Sequence, residues 1–152
     1  MKQPIRNLSL VAALCAAIVL SGCGKPKPNT NPTTPPETPL QKAARVSDEE
    51  AHTLHQLSNL VGDLNKQGLL SKDKTHQADL LLLKASRDTK TFNANARAFT
   101  DFDATNKKAL FDLGKQIADT IAQIVGISDD PNYKSLSQLA VTTINIILAL
   151  TQ

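Results

Sequence analysis

The sequence predicts an all-α protein, an up-down four-helix bundle that follows a signal peptide and a disordered proline-rich tether. Apolar residues of the body, residues 41–152, recur at spacings of three and four, as on one face of a helix. Glycine and aspartate interrupt this pattern at three places and leave room only for short connections. A body of this length can form a core without cross-links. The predicted helices cover about residues 48–67, 72–100, 105–125 and 131–151.

The first residues have the pattern of an export signal. Lys2 and Arg6 precede residues 8–20, which carry no charge and are largely apolar. These 13 residues fall short of the roughly 20 that a membrane-spanning helix needs. Small residues come next, as at a cleavage site. We therefore predict that residues 1–22 are a signal peptide.

The end of this segment, Leu20-Ser21-Gly22-Cys23, resembles the lipobox of bacterial lipoproteins. The resemblance implies that Cys23 carries a diacylglycerol, that cleavage occurs just before it, and that the new amino terminus is also acylated. Cys15 would then be removed, so the mature chain would form no disulfide. Gly24, in place of the aspartate that retains such proteins in the inner membrane, implies an outer-membrane location facing the periplasm. The alternative is a secreted protein with an incidental cysteine.

Residues 23–40 are predicted to form a tether. They hold six of the eight prolines and show no hydrophobic periodicity. Such a segment buries too little apolar surface to fold, and its prolines favour extended polyproline II geometry. A disordered spacer is the main interpretation, and a ligand for a proline-binding groove is the alternative.

Helix starts and stops are predicted from capping residues. Ser47 and Glu50 have the spacing of a capping box, which places the first helix start near residue 48. Gly68 ends that helix, and Ser71 caps the second. The apolar pattern of the second helix continues without a slip into the third, so one helix of about 50 residues is an alternative. We predict a break at residues 100–105.

That break rests on Asp103 and Asn106, which a continuous helix would place in the apolar seam. Aspartate and threonine between residues 100 and 105 are also good helix caps. The third helix should end at Gly126. Asp130 as cap and Pro131 at the first position then open the fourth helix.

The histidines are the residues most able to carry metal or catalytic chemistry. Glu49-x-x-His52, with His55 on the same face, resembles half of a di-iron bundle site, and Asp73-x-x-His76 is its only possible counterpart. In an antiparallel hairpin these two motifs lie at different heights, and no glutamate follows Glu50. We therefore predict no metal ligand, no cofactor and no catalytic residue, and expect the protein not to be an enzyme.

The remaining composition restricts the kinds of partner. Residues 41–152 carry 13 basic and 13 acidic side chains, so nucleic acid is not an expected partner. Two apolar runs, residues 80–83 and 139–150, exceed the single stripe that a bundle helix needs. Besides the membrane bound through Cys23, we therefore expect a protein partner or self-association through apolar helix surface. We expect a non-enzymatic protein of the cell envelope with a structural or adaptor role. Its layout of lipobox, spacer and compact helices resembles that of small bacterial lipoproteins, some of them phage- or plasmid-borne. The alternative is a membrane-active or oligomerising protein acting through the fourth helix.

Overall fold

A computed structural model describes residues 35–152, so the predicted signal peptide and most of the predicted tether lie outside the described part. The described residues form four α-helices and no strand, which confirms the all-α prediction. The helices are α1 (Pro39–Lys66), α2 (Lys72–Ala98), α3 (Ala104–Val125) and α4 (Pro131–Thr151).

The four helices pack as a square bundle. Connections 67–71, 99–103 and 126–130 have five residues each, which suits antiparallel neighbours. Helix α1 packs against α2 and α4, and α3 packs against the same two helices. The diagonal pairs, α1 with α3 and α2 with α4, do not pack against each other. The chain therefore enters the bundle, at Pro39, at the end that also holds the start of α3 and the carboxyl end of α4.

The predicted start of the first helix is wrong. Helix α1 begins at Pro39, because Thr38 caps it: its hydroxyl accepts from the Gln41 N–H at 3.2 Å, and the Gln41 side chain accepts from the Thr38 N–H at 2.9 Å. This is a complete capping box with proline at the first helical position, where its missing N–H is not needed. The end of the predicted tether therefore belongs to α1.

The predicted capping box of Ser47 and Glu50 is consequently absent. Ser47 lies inside α1, fully buried, and its hydroxyl donates to the Ala44 carbonyl at 2.7 Å. The same face of the preceding turns is apolar and packs into the core through Leu40, Ala43, Ala44 and Val46, so the helix continues backwards beyond the local capping signal.

The other predicted helix ends are confirmed. Ser71, Asp103 and Asp130 each cap a helix by accepting from backbone N–H groups of its first turn. Gly68 has φ +72°, the left-handed conformation that favours glycine after a helix. The Asp103 carboxylate accepts from the Asn106 N–H at 2.8 Å, so α2 and α3 are separate helices.

All four helices contribute to one core. Its largest fully buried side chains are Tyr133 and Phe92. The Tyr133 hydroxyl donates to the Ile124 carbonyl at 2.9 Å, which satisfies a carbonyl at the end of α3. Burial raises the pKa of Tyr133 to about 12. Gly114 of α3 lets α4 approach closely, since a Cβ there would lie 3.1 Å from Leu148 Cδ2.

Candidate functional site

The predicted lipidation site, Cys23, lies outside the described residues, together with the lipobox residues before it. The described residues nevertheless show where the bundle receives the preceding chain. Residues 35–38 are exposed and lie outside any helix, and Thr38, whose backbone is extended, leads directly into the first turn of α1. The preceding chain therefore joins the bundle at the first turn of α1.

A cleft of about 580 Å³ lies at the same end, between the start of α1 and the end of α2. Its apolar lining includes Leu40, Ala96 and Phe99, and its rim carries Arg45 and Arg97. Both cations are engaged by carboxylates of the bundle. The cleft thus offers apolar surface more than free charge.

Arg45 joins two carboxylates across the first turns of α1. It lies 3.2 Å from Glu37 and 2.6 Å from Glu49. Hydrogen bonding to Glu37, and then to Glu49, raises the pKa of Arg45. All three side chains are well exposed, so this network adds little to stability.

A second polar network joins α1 to α2. Arg97 donates to Asp48 at 2.6 Å and to the Asn93 side-chain oxygen at 2.7 Å. The Asn93 amide nitrogen lies within 2.7–2.9 Å of acceptors on Ser47, Asp48 and Ala44. Sequence reasoning missed this network, because nothing in the spacing of these residues indicates that they meet.

Glu50 is the least expected residue of the bundle. It is fully buried, and neither carboxylate oxygen has a hydrogen-bond partner. Burial raises its pKa to about 8, so the carboxyl group is protonated at neutral pH. The Thr89 hydroxyl on α2 is likewise buried without a partner. Sequence reasoning placed Glu50 at a helix start and gave no indication of its burial.

The histidines of the considered metal motif are engaged along their own helix. His52 lies 3.0 Å from the Gln56 amide, and His55 lies 3.4 Å from the Asn59 amide. Glu49 pairs with Arg45, and His76 is exposed near the start of α2. Within residues 35–152, no three His, Cys, Asp or Glu side chains are grouped so that they could hold a metal ion.

The two predicted apolar runs are only partly covered. In residues 80–83, Leu82 is buried, whereas Leu80 and Leu83 are 55% and 49% exposed. On α4, Leu139 and Ile146 are 49% and 42% exposed. Among the described helices, α4 is long and apolar enough to cross a membrane by length and composition, a test that core helices of soluble bundles also pass.

Comparison of the chain with protein-family models, with curated proteins and with solved structures finds no match. The residues themselves therefore carry the functional argument.

Proposed function

We propose that this chain is a bacterial lipoprotein of the cell envelope, anchored through lipid on Cys23, whose helical bundle acts by contacting other proteins and not by catalysis. The observation that carries this proposal is the sequence Leu20-Ser21-Gly22-Cys23 directly after a short apolar run. Two or more acyl chains on one residue anchor a protein stably, at ~0.8 kcal/mol per buried methylene.

The compactness of the bundle supports separate roles for a folded binding module and a tether. Residues 36–152 form one compact unit, and α1 begins at Pro39. The residues from Cys23 to Thr38 would then serve as the tether. In extended polyproline geometry, at ~3.1 Å per residue, they would reach almost 50 Å. That reach would let the bundle contact partners well away from the membrane surface.

The surface of the bundle supports a binding role. Its cleft cations are paired with carboxylates, and His52 and His55 contact amides on their own helix. The unusual surface feature is instead apolar: leucine and isoleucine side chains of α2 and α4 remain about half exposed. These side chains form two separate pairs, since α2 and α4 do not pack against each other, and an apolar pair on one helix face supports a small protein–protein contact. Gly24 supports the outer membrane, facing the periplasm, as the location.

The decisive experiment is the intact mass of the protein recovered from the envelope of its own cell. We expect a chain that begins at Cys23 and carries acyl groups. Cys23→Ala should abolish both the acylation and the cleavage, so that the apolar leader stays attached. An unmodified thiol at Cys23, or a mature chain that begins elsewhere, would refute the proposal.

A membrane-active protein is the second candidate, because α4 passes the length and composition test for a span. However, Gln138, Thr142 and Asn145 are exposed on its outer face, and inserting these polar groups into hydrocarbon is costly. Leakage of dye from vesicles exposed to residues 24–152, which lack both the apolar leader and the lipidated cysteine, would favour this candidate. Intact vesicles would leave the anchored binding protein as the better description.

A further inference from the structure

Helix α1 contains two signals for a helix start, and the observed structure uses the first of them. The observed start has the capping box of Thr38 and Gln41 and no acidic residue in its first turn. Further along the chain, Ser47 and Glu50 have the spacing of a second capping box. A helix that began after Ser47 would have acidic residues throughout its first turn, residues 48–50, where the helix dipole stabilises carboxylates.

The observed start places Glu50 where a carboxyl group is costly. In the long α1 this side chain is fully buried, and neither of its oxygens has a hydrogen-bond partner. In a helix capped by Ser47, the Glu50 carboxylate would accept from the Ser47 backbone N–H, and the Glu50 N–H would donate to the Ser47 hydroxyl. The shorter helix would therefore satisfy the polar atoms that the longer helix leaves without a partner.

We propose that residues 39–46, here called the opening segment, detach from the bundle as a unit and leave a shorter α1 that Ser47 caps and that begins at Asp48. In this open state Glu50 leaves the core and becomes the third residue of the new first turn. The proposal concerns the bundle alone and does not depend on lipid at Cys23.

The opening segment is attached to the bundle by little apolar surface. Its buried side chains are Leu40, Ala43, Ala44 and Val46. The cleft of about 580 Å³ lies between this segment and the end of α2. Arg45 pairs with Glu37 and Glu49, which belong to the same part of the chain and not to another helix. The conformational entropy that the segment gains on detaching offsets much of the cost of exposing two alanines, one leucine and one valine.

Contacts with α2 set the boundary of the opening segment at Ser47. The Asn93 amide nitrogen lies 2.7 Å from the Ser47 hydroxyl and 2.8 Å from the Asp48 carboxylate. Arg97 donates to the same carboxylate at 2.6 Å. These contacts hold α1 to α2 from Ser47 onwards. Of the Asn93 contacts, only the one to the Ala44 carbonyl lies in the opening segment and would be lost.

Ionisation of Glu50 favours the open state. Burial raises its pKa from 4.5 to about 8 and is the only cause of the shift, so no charged group of α2 or α4, the two helices packed against α1, acts on it. On α2, Lys84 pairs with Asp88, and on α4 the only charged residue, Lys134, pairs with Asp129. At pH 7 the closed bundle keeps Glu50 neutral, whereas the open state lets it ionise. The open fraction therefore rises with pH between these two pKa values.

Thiol labelling of cysteine variants tests whether the opening segment detaches. Ala43→Cys reports on the segment, Thr53→Cys on the part of α1 that should stay attached, and Ala85→Cys on α2; all three positions are buried. Each variant is made in the full chain, purified from the envelope in mild detergent and treated at pH 7 with a low concentration of iodoacetamide. Peptide mass spectrometry then gives the rate of labelling at each new cysteine, separately from any other thiol.

Labelling of Ala43→Cys should be at least about tenfold faster than that of Thr53→Cys or Ala85→Cys, because only the opening segment is exposed without unfolding of the whole bundle. If Ala43→Cys does not fold, Ala44→Cys, at a second buried position of the segment, takes its place. Equal rates for the segment and for Ala85→Cys would overturn the detachment. A rate for Thr53→Cys as fast as that for the segment would mean that α1 opens beyond Ser47, and would overturn the second helix start.

Glu50→Gln, added to Ala43→Cys, tests whether Glu50 leaves the core in the open state. Glutamine also suits the third position of a capping box but cannot ionise, so labelling at pH 7 should slow at least about tenfold. Glu49→Gln is the matched control, because Glu49 is exposed already in the closed bundle, and it should change the rate less than about threefold. An unchanged rate with Glu50→Gln, or an equal slowing with Glu49→Gln, would overturn the role of Glu50.

Discussion

The buried carboxyl group of Glu50 makes the stability of this bundle depend on pH, and Glu50→Gln should remove that dependence. The folded chain holds Glu50 without a hydrogen-bond partner, and burial raises its pKa from 4.5 to about 8. Glutamine has nearly the same shape, remains neutral at every pH, and keeps the cost of a buried polar group. The substitution therefore isolates the effect of ionising the Glu50 carboxyl group on stability.

The sign of the effect depends on which state binds the proton. Below pH 4.5 both the folded and unfolded chains are protonated at Glu50, so its ionisation costs nothing. Between pH 4.5 and about 8 the unfolded chain is ionised while the folded chain keeps its proton. The free energy of unfolding then falls by about 1.4 kcal/mol per pH unit. Above pH 8 both states are ionised and the loss is complete.

The magnitude comes from the same two pKa values. At pH 7 the loss is on the order of 3 kcal/mol, and above pH 8 on the order of 5 kcal/mol. Glu50→Gln should therefore match the parent chain near pH 4 and exceed it by about 3 kcal/mol at pH 7. Urea unfolding monitored by circular dichroism, repeated between pH 4 and pH 9, measures this difference directly.

A matched control lies one residue away. Glu49 is an exposed residue on the same turn of α1, paired with Arg45. Glu49→Gln removes one carboxylate but should not reproduce the growing gain with pH. The difference in free energy of unfolding between the parent chain and Glu50→Gln should grow from pH 4 to pH 9. A constant difference would mean that Glu50 is not buried as described and that the reasoning is wrong.

Three further substitutions test how the bundle is built. Thr38→Ala removes the observed cap of α1 and should lower the free energy of unfolding by about 1 kcal/mol; no change would mean that α1 begins further along the chain. Gly114→Val pushes a side chain against Leu148 and should cost about 1–3 kcal/mol. In its control, Gly62→Ala, the new methyl group meets nothing within 4 Å and should stabilise α1 by about 0.5–1 kcal/mol. Equal effects of the two substitutions on stability would contradict the close packing of α3 and α4. Thr89→Val keeps the shape of the side chain and removes a hydroxyl without a partner, so thermal unfolding should show equal or greater stability. A clear loss of stability would show that the hydroxyl is hydrogen-bonded.

Local signals were sufficient for most of the helix ends. Ser71, Asp103 and Asp130 cap the helices that the sequence predicts, because an N-cap depends on a side chain and backbone groups within three residues. The predicted start of α1 was wrong for the opposite reason. Two capping signals compete there, one at Thr38 and one at Ser47, and the sequence between them does not decide which is used.

The candidate functional residues also fall into two groups, those that a local pattern predicts and those that only packing brings together. The prediction for Cys23 rests on a short contiguous motif, and it stays a prediction. The network of Asp48, Asn93 and Arg97 joins two helices through residues more than 40 positions apart, which no local pattern reveals. The contacts of His52 and His55 with neighbouring amides follow from i, i+4 spacing on one helix.

By itself, the sequence determined that this protein is helical, that it has four helices, and where three of them begin. These properties depend on periodicity and capping over a few residues. Only the tertiary structure decided which positions are hidden: that Thr38 and not Ser47 starts α1, that Glu50 is enclosed, and that one uncharged face of α4 stays outside. The physical reason is that burial depends on how four helices share a square cross-section, in which each helix contacts two neighbours and leaves its remaining side to solvent.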